Sequence, residues 1–206
     1  MFSFLWLRRR TGNYCRGGSR TALTHINRIQ IMRDKNQILN RHSIRLKEYD
    51  YSQAGAYFVT LCTKNRKFIL GDTIDGIMQL NNSGLIIAET WQWLSEQYPY
   101  VELDTCVVMP NHFHAIILIL DDRRGGSRTA PTMRKPLGRL IGAFKTVSTK
   151  QINALRGAPG QLVWQRNYYE HVICNEIDPE ETREYIQNNP LKWLEDENHP
   201  ANVRKP

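Results

Sequence analysis

The sequence predicts an α+β domain with a central antiparallel β-sheet and helices packed on it. Three observations carry that expectation. Short β-branched and aromatic runs recur between residues 56 and 174, helix-length amphipathic segments separate them, and a tight Pro110-Asn111 link joins two of the apolar runs as a hairpin.

Ala56–Thr63 (AYFVTLCT) is β-branched and aromatic and reads as the first strand. Leu80–Gln97 follows as a helix in which Leu85, Ile86, Ala88, Trp93 and Leu94 supply apolar positions beside polar ones such as Glu89, and Pro99 stops it. Val101–Met109 and His112–Leu120 read as two paired strands at the sheet centre. Leu137–Leu155 is a basic amphipathic helix carrying Arg139, Lys145 and Lys150, and Val163–Cys174 is a further strand region. Asp178-Pro179-Glu180-Glu181 starts a last helix, with Asp178 as N-cap, Pro179 in the first helical position and Glu181 closing a capping box. Pro190 disfavours helical geometry in the residue before it and so ends this helix near Asn189. The order strand, helix, two strands, helix, strand, helix fits a ferredoxin-like sheet.

A chain of 206 residues has room for one domain of average size with flanks. Residues 1–40 lack a sustained hydrophobic period and are expected to form a poorly structured extension, 41–198 the domain, and 199–206 a tail. Within the domain, 121–136 is expected to be a long surface loop. Arg16–Thr24 (RGGSRTALT) recurs as Arg124–Thr132 (RGGSRTAPT), identical at eight of nine positions. Gly-Gly-Ser-Arg-Thr-Ala can be encoded by GGC GGT TCG CGA ACC GCC, a string equal to its own reverse complement. The two copies therefore read as in-frame pieces of one palindromic DNA repeat, the alternative being a Gly/Ser/Arg linker that arose twice.

Lys and Arg outnumber Asp and Glu by 28 to 20, a formal charge of +8 that favours a polyanionic partner over an acidic protein. Cys15, Cys62, Cys106 and Cys174 form no C-x-x-C pair, which argues against a zinc site or a disulfide frame and for a reduced, cytoplasmic setting. The apolar start Met1–Leu7 runs into Arg8, Arg9 and Arg10, the wrong order for a signal peptide, and the longest apolar run, Ala115–Leu120, is strand-sized. No membrane partner is expected.

Two groups of residues point to chemistry. In His112-Phe113-His114, strand alternation sends both imidazoles to one face and Phe113 to the other, an arrangement suited to a divalent ion; the alternative is a pair of polar residues on a half-exposed strand. Tyr185 and Asn189 lie one turn apart on the last helix, where a phenol can attack phosphorus and an amide oxygen can complete a metal shell; the alternative is an aromatic anchor against the sheet.

Four motifs, in order, resemble the single-tyrosine transposases of the IS200/IS605 group, in particular the REP-associated tyrosine transposases. Ser43–Ser52 and Gly55–Thr63 are similar to the opening segment, Met109–His114 (MPNHFH) to the HUH motif, Trp164–Ile173 (WQRNYYEHVI) to the late strand, and Arg183–Pro190 (REYIQNNP) to the tyrosine helix. The resemblance spans residues 41–198. It implies an HUH fold, with His112 and His114 binding Mg²⁺ or Mn²⁺, Asn189 as third ligand where some relatives carry glutamine, and Tyr185 as nucleophile. The implied activity is that of a DNA transposition enzyme: a metal-dependent endonuclease and strand transferase acting through a 5′-phosphotyrosine. The implied partner is single-stranded DNA with hairpin-forming palindromic repeats, bound by a monomer or homodimer. On this reading Arg139, Lys145, Lys150 and Arg166 contact phosphate, and Trp164, Tyr168 or Tyr169 stack on unpaired bases; the alternative is a solvated basic face and core aromatics. Two other functions stay open, a hairpin-binding protein that does not cut and a replication-initiator-like nickase, for which a different motif order or an attached helicase domain is expected.

Overall fold

The structure, a computed structural model, describes residues 50–121, 135–173 and 179–202. The N-terminal extension, most of the Ser43–Ser52 motif, both repeat copies, the Asp178 cap, Cys15 and Cys174 lie outside the described residues. The elements are β1 (Gly55–Cys62), β2 (Gly71–Ile74), β3 (Ile77–Leu80), α1 (Asn82–Gln97), β4 (Val101–Val108), β5 (His112–Ile119), α2 (Leu137–Leu155), β6 (Tyr169–Ile173) and α3 (Pro179–Asn188).

Four strands form one antiparallel sheet in the order β4-β5-β1-β6, and β2 and β3 form a separate hairpin. With that hairpin set aside, the chain runs strand, helix, strand, strand, helix, strand, with the first and third strands central. This is the ferredoxin-like arrangement expected from the sequence.

Alternation along β1 and β5 divides the sheet into two faces with different tasks. Tyr57, Val59, Leu61, Phe113, Ala115 and Ile117 are buried on one face. There α1 and α2 cover them, with Trp91 of α1 at 5.0 Å and Phe144 of α2 at 5.5 Å from the Phe113 ring. The register Phe58↔Ile116, Thr60↔His114 and Cys62↔His112 sends those six residues to the other face.

The hairpin β2–β3 was not expected from the sequence. Asp75 (φ 52°) and Gly76 (φ 73°) both adopt the left-handed region, as a two-residue type I′ turn requires, so the Asp-Gly pair was its local signal. Because Leu80 belongs to β3, α1 begins at Asn82, two residues later than expected, capped by Asn81, whose Oδ1 accepts from the backbone of Ser83 and Gly84. The buried stripe of α1 is Ile87, Trp91 and Leu94, at helical spacing, whereas Leu85 is exposed. A Cβ on Gly84 would lie 2.1 Å from the Leu70 carbonyl oxygen, so glycine there lets the helix touch backbone.

The late strand is shorter than Val163–Cys174. Trp164 makes a single bridge with Thr63, and regular pairing resumes at Tyr169. In between, the carbonyls of Gln165, Arg166 and Asn167 turn to Lys145 Nζ, at 3.0, 3.5 and 3.2 Å. Among the described residues no helix is long and apolar enough to cross a membrane, and Cys62 and Cys106 are free thiols.

Candidate active site

The site grows from the turn that joins β4 to β5. Met109 N–H donates to His112 O at 2.8 Å and Thr63 N–H to Asn111 O at 2.9 Å, which fixes the Pro110-Asn111 link against the end of β1. His112 and His114 follow on one face, 0% and 1% exposed, with ring centroids 4.5 Å apart. Such burial is incompatible with two solvent-facing polar residues on a half-exposed strand.

Hydrogen bonds decide which nitrogen of His112 is available. Asn111 Nδ2 donates to the carbonyls of Asn198 (2.8 Å) and Arg66 (3.3 Å), so its Oδ1 faces His112 Nδ1 at 2.9 Å. A carboxamide oxygen only accepts, so Nδ1 carries the proton and Nε2 the lone pair. That Nε2 is buried and has no hydrogen-bond partner. Burial above all, with help from the Arg66 charge, lowers the His112 pKa to about 4, against the pull of Asp196 and Asn189. The ring is therefore neutral, the form that binds a metal. His114 is held across the strand pair, its Nδ1 2.9 Å from Thr60 Oγ1.

Helix α3 brings Tyr185 to this face. Arg183 clamps the helix to β4: Nε lies 3.0 Å from both carboxylate oxygens of Asp104, and Nη2 lies 2.6 Å from Oδ2. The half-buried Tyr185 ring meets the His114 ring edge-on, with centroids 5.5 Å apart, and the Phe58 ring at 6.1 Å. Burial first, then the charges of Asp196, Glu197 and Tyr169, push the phenol pKa well above the ordinary tyrosine value, so the hydroxyl keeps its proton at neutral pH.

Asn189 follows one turn later, 3% exposed. Its Nδ2 donates to Asp196 Oδ2 at 2.9 Å, while its Oδ1 is buried with no hydrogen-bond partner. Asp196 itself is 7% exposed, and one donor atom from each of His112, His114 and Asp196 lies within 4.8 Å of the others. Sequence reasoning missed Asp196: it sits beyond the tyrosine helix, after the 3-10 turn Trp193–Glu195, and no spacing rule connects it to the histidines. Buried acceptors are as a rule hydrogen-bonded. Two that are not, on His112 and on the Asn189 amide beside it, together with a second imidazole and a carboxylate, make a donor set that fits a divalent cation.

No family model matches the sequence. A Haemophilus influenzae protein described only as uncharacterized is 37% identical over 170 residues, 78% of this chain and 93% of that protein. A second H. influenzae protein, which carries the name REP-associated tyrosine transposase, is 23% identical over 145 residues, 69% of this chain and 74% of that protein. Among solved structures, that of a REP-associated tyrosine transposase bound to a REP hairpin superposes with a TM-score of 0.51 at 18% identity, over 74% of each chain. The chain shares the fold of that REP-associated tyrosine transposase and resembles in sequence the H. influenzae protein of the same name.

The remaining sequence-predicted residues are placed unevenly around this fold. Tyr169 pairs with Thr60 and lies on the histidine face, 6.2 Å from the Phe58 ring. Arg166 is exposed and Tyr168 half-buried on the same segment, which leads into β6 from the end of β1 beside His112. Trp164 does not serve as an open stacking platform: it is buried, its Nε1–H donates to Ser148 Oγ at 3.0 Å, and its ring packs 5.8 Å from Phe144. Lys145 donates to its three carbonyls, lies 5.2 Å from the Tyr168 ring, and has its pKa lowered by burial to about 8. Arg139 and Lys150 are exposed on α2, which packs on the sheet face opposite the histidines.

Proposed function

We propose that this chain nicks and rejoins single-stranded DNA beside hairpins of palindromic repeats, with Tyr185 as nucleophile. The observation that carries the proposal is the meeting of Tyr185 with His114 in a buried pocket where His112 Nε2 and Asn189 Oδ1 have no hydrogen-bond partner. The solved relative that holds a REP hairpin supports the substrate class.

In the forward step Tyr185 Oη attacks the scissile phosphorus, a P–O bond forms to the tyrosine, and the bond to the 3′ oxygen breaks. The phenol proton is lost and the leaving 3′ oxygen gains one, so the products are a 5′-phosphotyrosine and a free 3′-hydroxyl. Attack by another 3′-hydroxyl reverses the exchange at similar bond energy and requires no ATP. Mg²⁺ or Mn²⁺ held by His112, His114 and Asn189 would supply Lewis-acid stabilisation of charge on the phosphate. The neutral His112 and the neighbouring His114 would hold that position, and α3 directs Tyr185 toward it.

The test incubates the protein with Mn²⁺ and end-labelled single-stranded DNA carrying the GGCGGTTCGCGAACCGCC palindrome. A metal-dependent covalent adduct on a denaturing gel with wild type and none with Tyr185→Phe is the expected result. Hairpin binding by both proteins with cleavage by neither would replace this reading with that of a non-cleaving hairpin binder.

A further inference from the structure

We infer that Asp196 is a positioning residue that turns the Asn189 carboxamide so that its oxygen, and not its nitrogen, faces the histidines. The inference rests on the proposal that a divalent cation binds there. A carboxamide has two ends of nearly equal shape, and only the oxygen end donates a lone pair to a cation. A wrong turn of Asn189 would aim an N–H group at the site and remove a ligand without changing the fold.

Asp196 resolves the choice because a carboxylate only accepts hydrogen bonds. Its Oδ2 lies 2.9 Å from Asn189 Nδ2, which leaves Asn189 Oδ1 on the side of His112, buried and without a hydrogen-bond partner. Asp196 is itself held in place: Asn198 N–H donates to its Oδ1 at 2.6 Å, and its own N–H donates to Trp193 O at 3.2 Å. Trp193 in turn packs 5.8 Å from the His112 ring and 4.9 Å from the His199 ring. Both carboxylate oxygens of Asp196 thus already accept a hydrogen bond, which favours action through Asn189 over direct ligation, although Asp196 lies close enough to the histidines to ligate.

The experiment measures Mn²⁺ affinity of the full chain by calorimetry and by Mn²⁺ paramagnetic resonance, with thermal melting as the control for folding. Asp196→Asn keeps the shape but can present its own N–H group to Asn189, so the amide is free to turn; affinity falls about 10–100-fold, the usual effect of removing a partner that orients a ligand. In an Asn189→Ala background the same change at 196 produces no further loss, because there is no carboxamide left to orient. The exchange Asn189→Asp with Asp196→Asn restores binding, since a carboxylate at 189 has no wrong end and the new amide at 196 can donate to it. Additive losses in the Asn189→Ala background would make Asp196 a direct ligand and overturn the inference, as would wild-type affinity in a folded Asp196→Asn variant. If wild type takes up no Mn²⁺, or takes it up equally after His112→Ala, the metal-site proposal falls as well.

Discussion

Burial at His112 keeps the imidazole neutral under conditions that would charge an exposed histidine, and this has a cost that can be measured. Its pKa is about 4 in the folded chain, against the ordinary 6.5 when unfolded. Between those values the unfolded chain binds more protons than the folded one, so the group's effect on stability is nil above pH 6.5 and turns against the fold as pH falls through the window. A shift of this size amounts to about 3 kcal/mol once complete, at and below pH 4. In metal-free protein, urea midpoints at pH 7 and pH 4.5 should therefore fall further for wild type than for His112→Gln; equal falls would show that His112 is not the group that titrates. The histidine pair was legible in the sequence because strand alternation fixes which side chains share a face, and Asn189 because helical spacing places it one turn beyond Tyr185. Asn111, Asn198 and Asp196 were not legible as parts of the site. The hydrogen bond from Asn111 to Asn198 spans 87 positions, and only the folded chain brings its ends together.

Helix α3 is short, and besides the packing of Tyr185 and the buried Ile186 it is tied to β4 by Arg183. Burial alone would raise the Asp104 pKa, but the hydrogen bonds and charge of Arg183 outweigh it and bring the carboxylate below its usual range. The pair's stabilisation is thus present at neutral pH, above the unfolded carboxylate value, and is lost as acid protonates Asp104. The two side chains are 24% and 19% exposed, so solvent discounts the interaction, and a contribution of about 1–2 kcal/mol is appropriate for this multiply hydrogen-bonded geometry. Arg183→Leu should lower stability by about that amount and slow covalent adduct formation by at least ~10-fold, since small misplacements of a nucleophile are expensive in rate. Adduct formation at the wild-type rate would mean that other contacts of α3 suffice to aim Tyr185. Elements whose periodicity reflects a single buried face, such as α2 at Leu137–Leu155, matched the sequence expectation residue for residue. The mismatches arose where local signals compete: the short β2–β3 hairpin was hidden by its weak alternation, and the apolar residues of α1 are numerous enough to allow more than one buried stripe. The late strand, expected to be continuous, is interrupted where three carbonyls turn to Lys145.

In the whole molecule, the sheet separates two layers with different work. α1 and α2 cover one face and add Trp91 and Phe144 to its aromatic core, while the other face carries the histidines, Phe58, Tyr169 and the tyrosine helix. The formal charge of +8 belongs to the entire chain, so it cannot by itself say which cations meet a nucleic acid. Position can. Arg166 is exposed on the segment that hydrogen-bonds to the end of β1 through Gln165 N–H and Cys62 O at 2.9 Å, and Cys62 pairs with His112. On the proposed function, a DNA strand that reaches Tyr185 would pass close to this segment, whereas Arg139 and Lys150 project from the opposite layer. Removing one phosphate-binding cation lowers the slope of log affinity against log salt by about 0.7 for a single strand and about 0.9 for a duplex. Arg166→Ser should therefore weaken binding of the hairpin-bearing strand and flatten its salt dependence by the increment of a single phosphate, and the double variant Arg139→Ser/Lys150→Ser should leave both nearly unchanged. Fluorescence anisotropy across a salt series distinguishes the cases, and a flattened slope in the α2 double variant with an unchanged one for Arg166→Ser would move the DNA path to the helical layer and away from the tyrosine face.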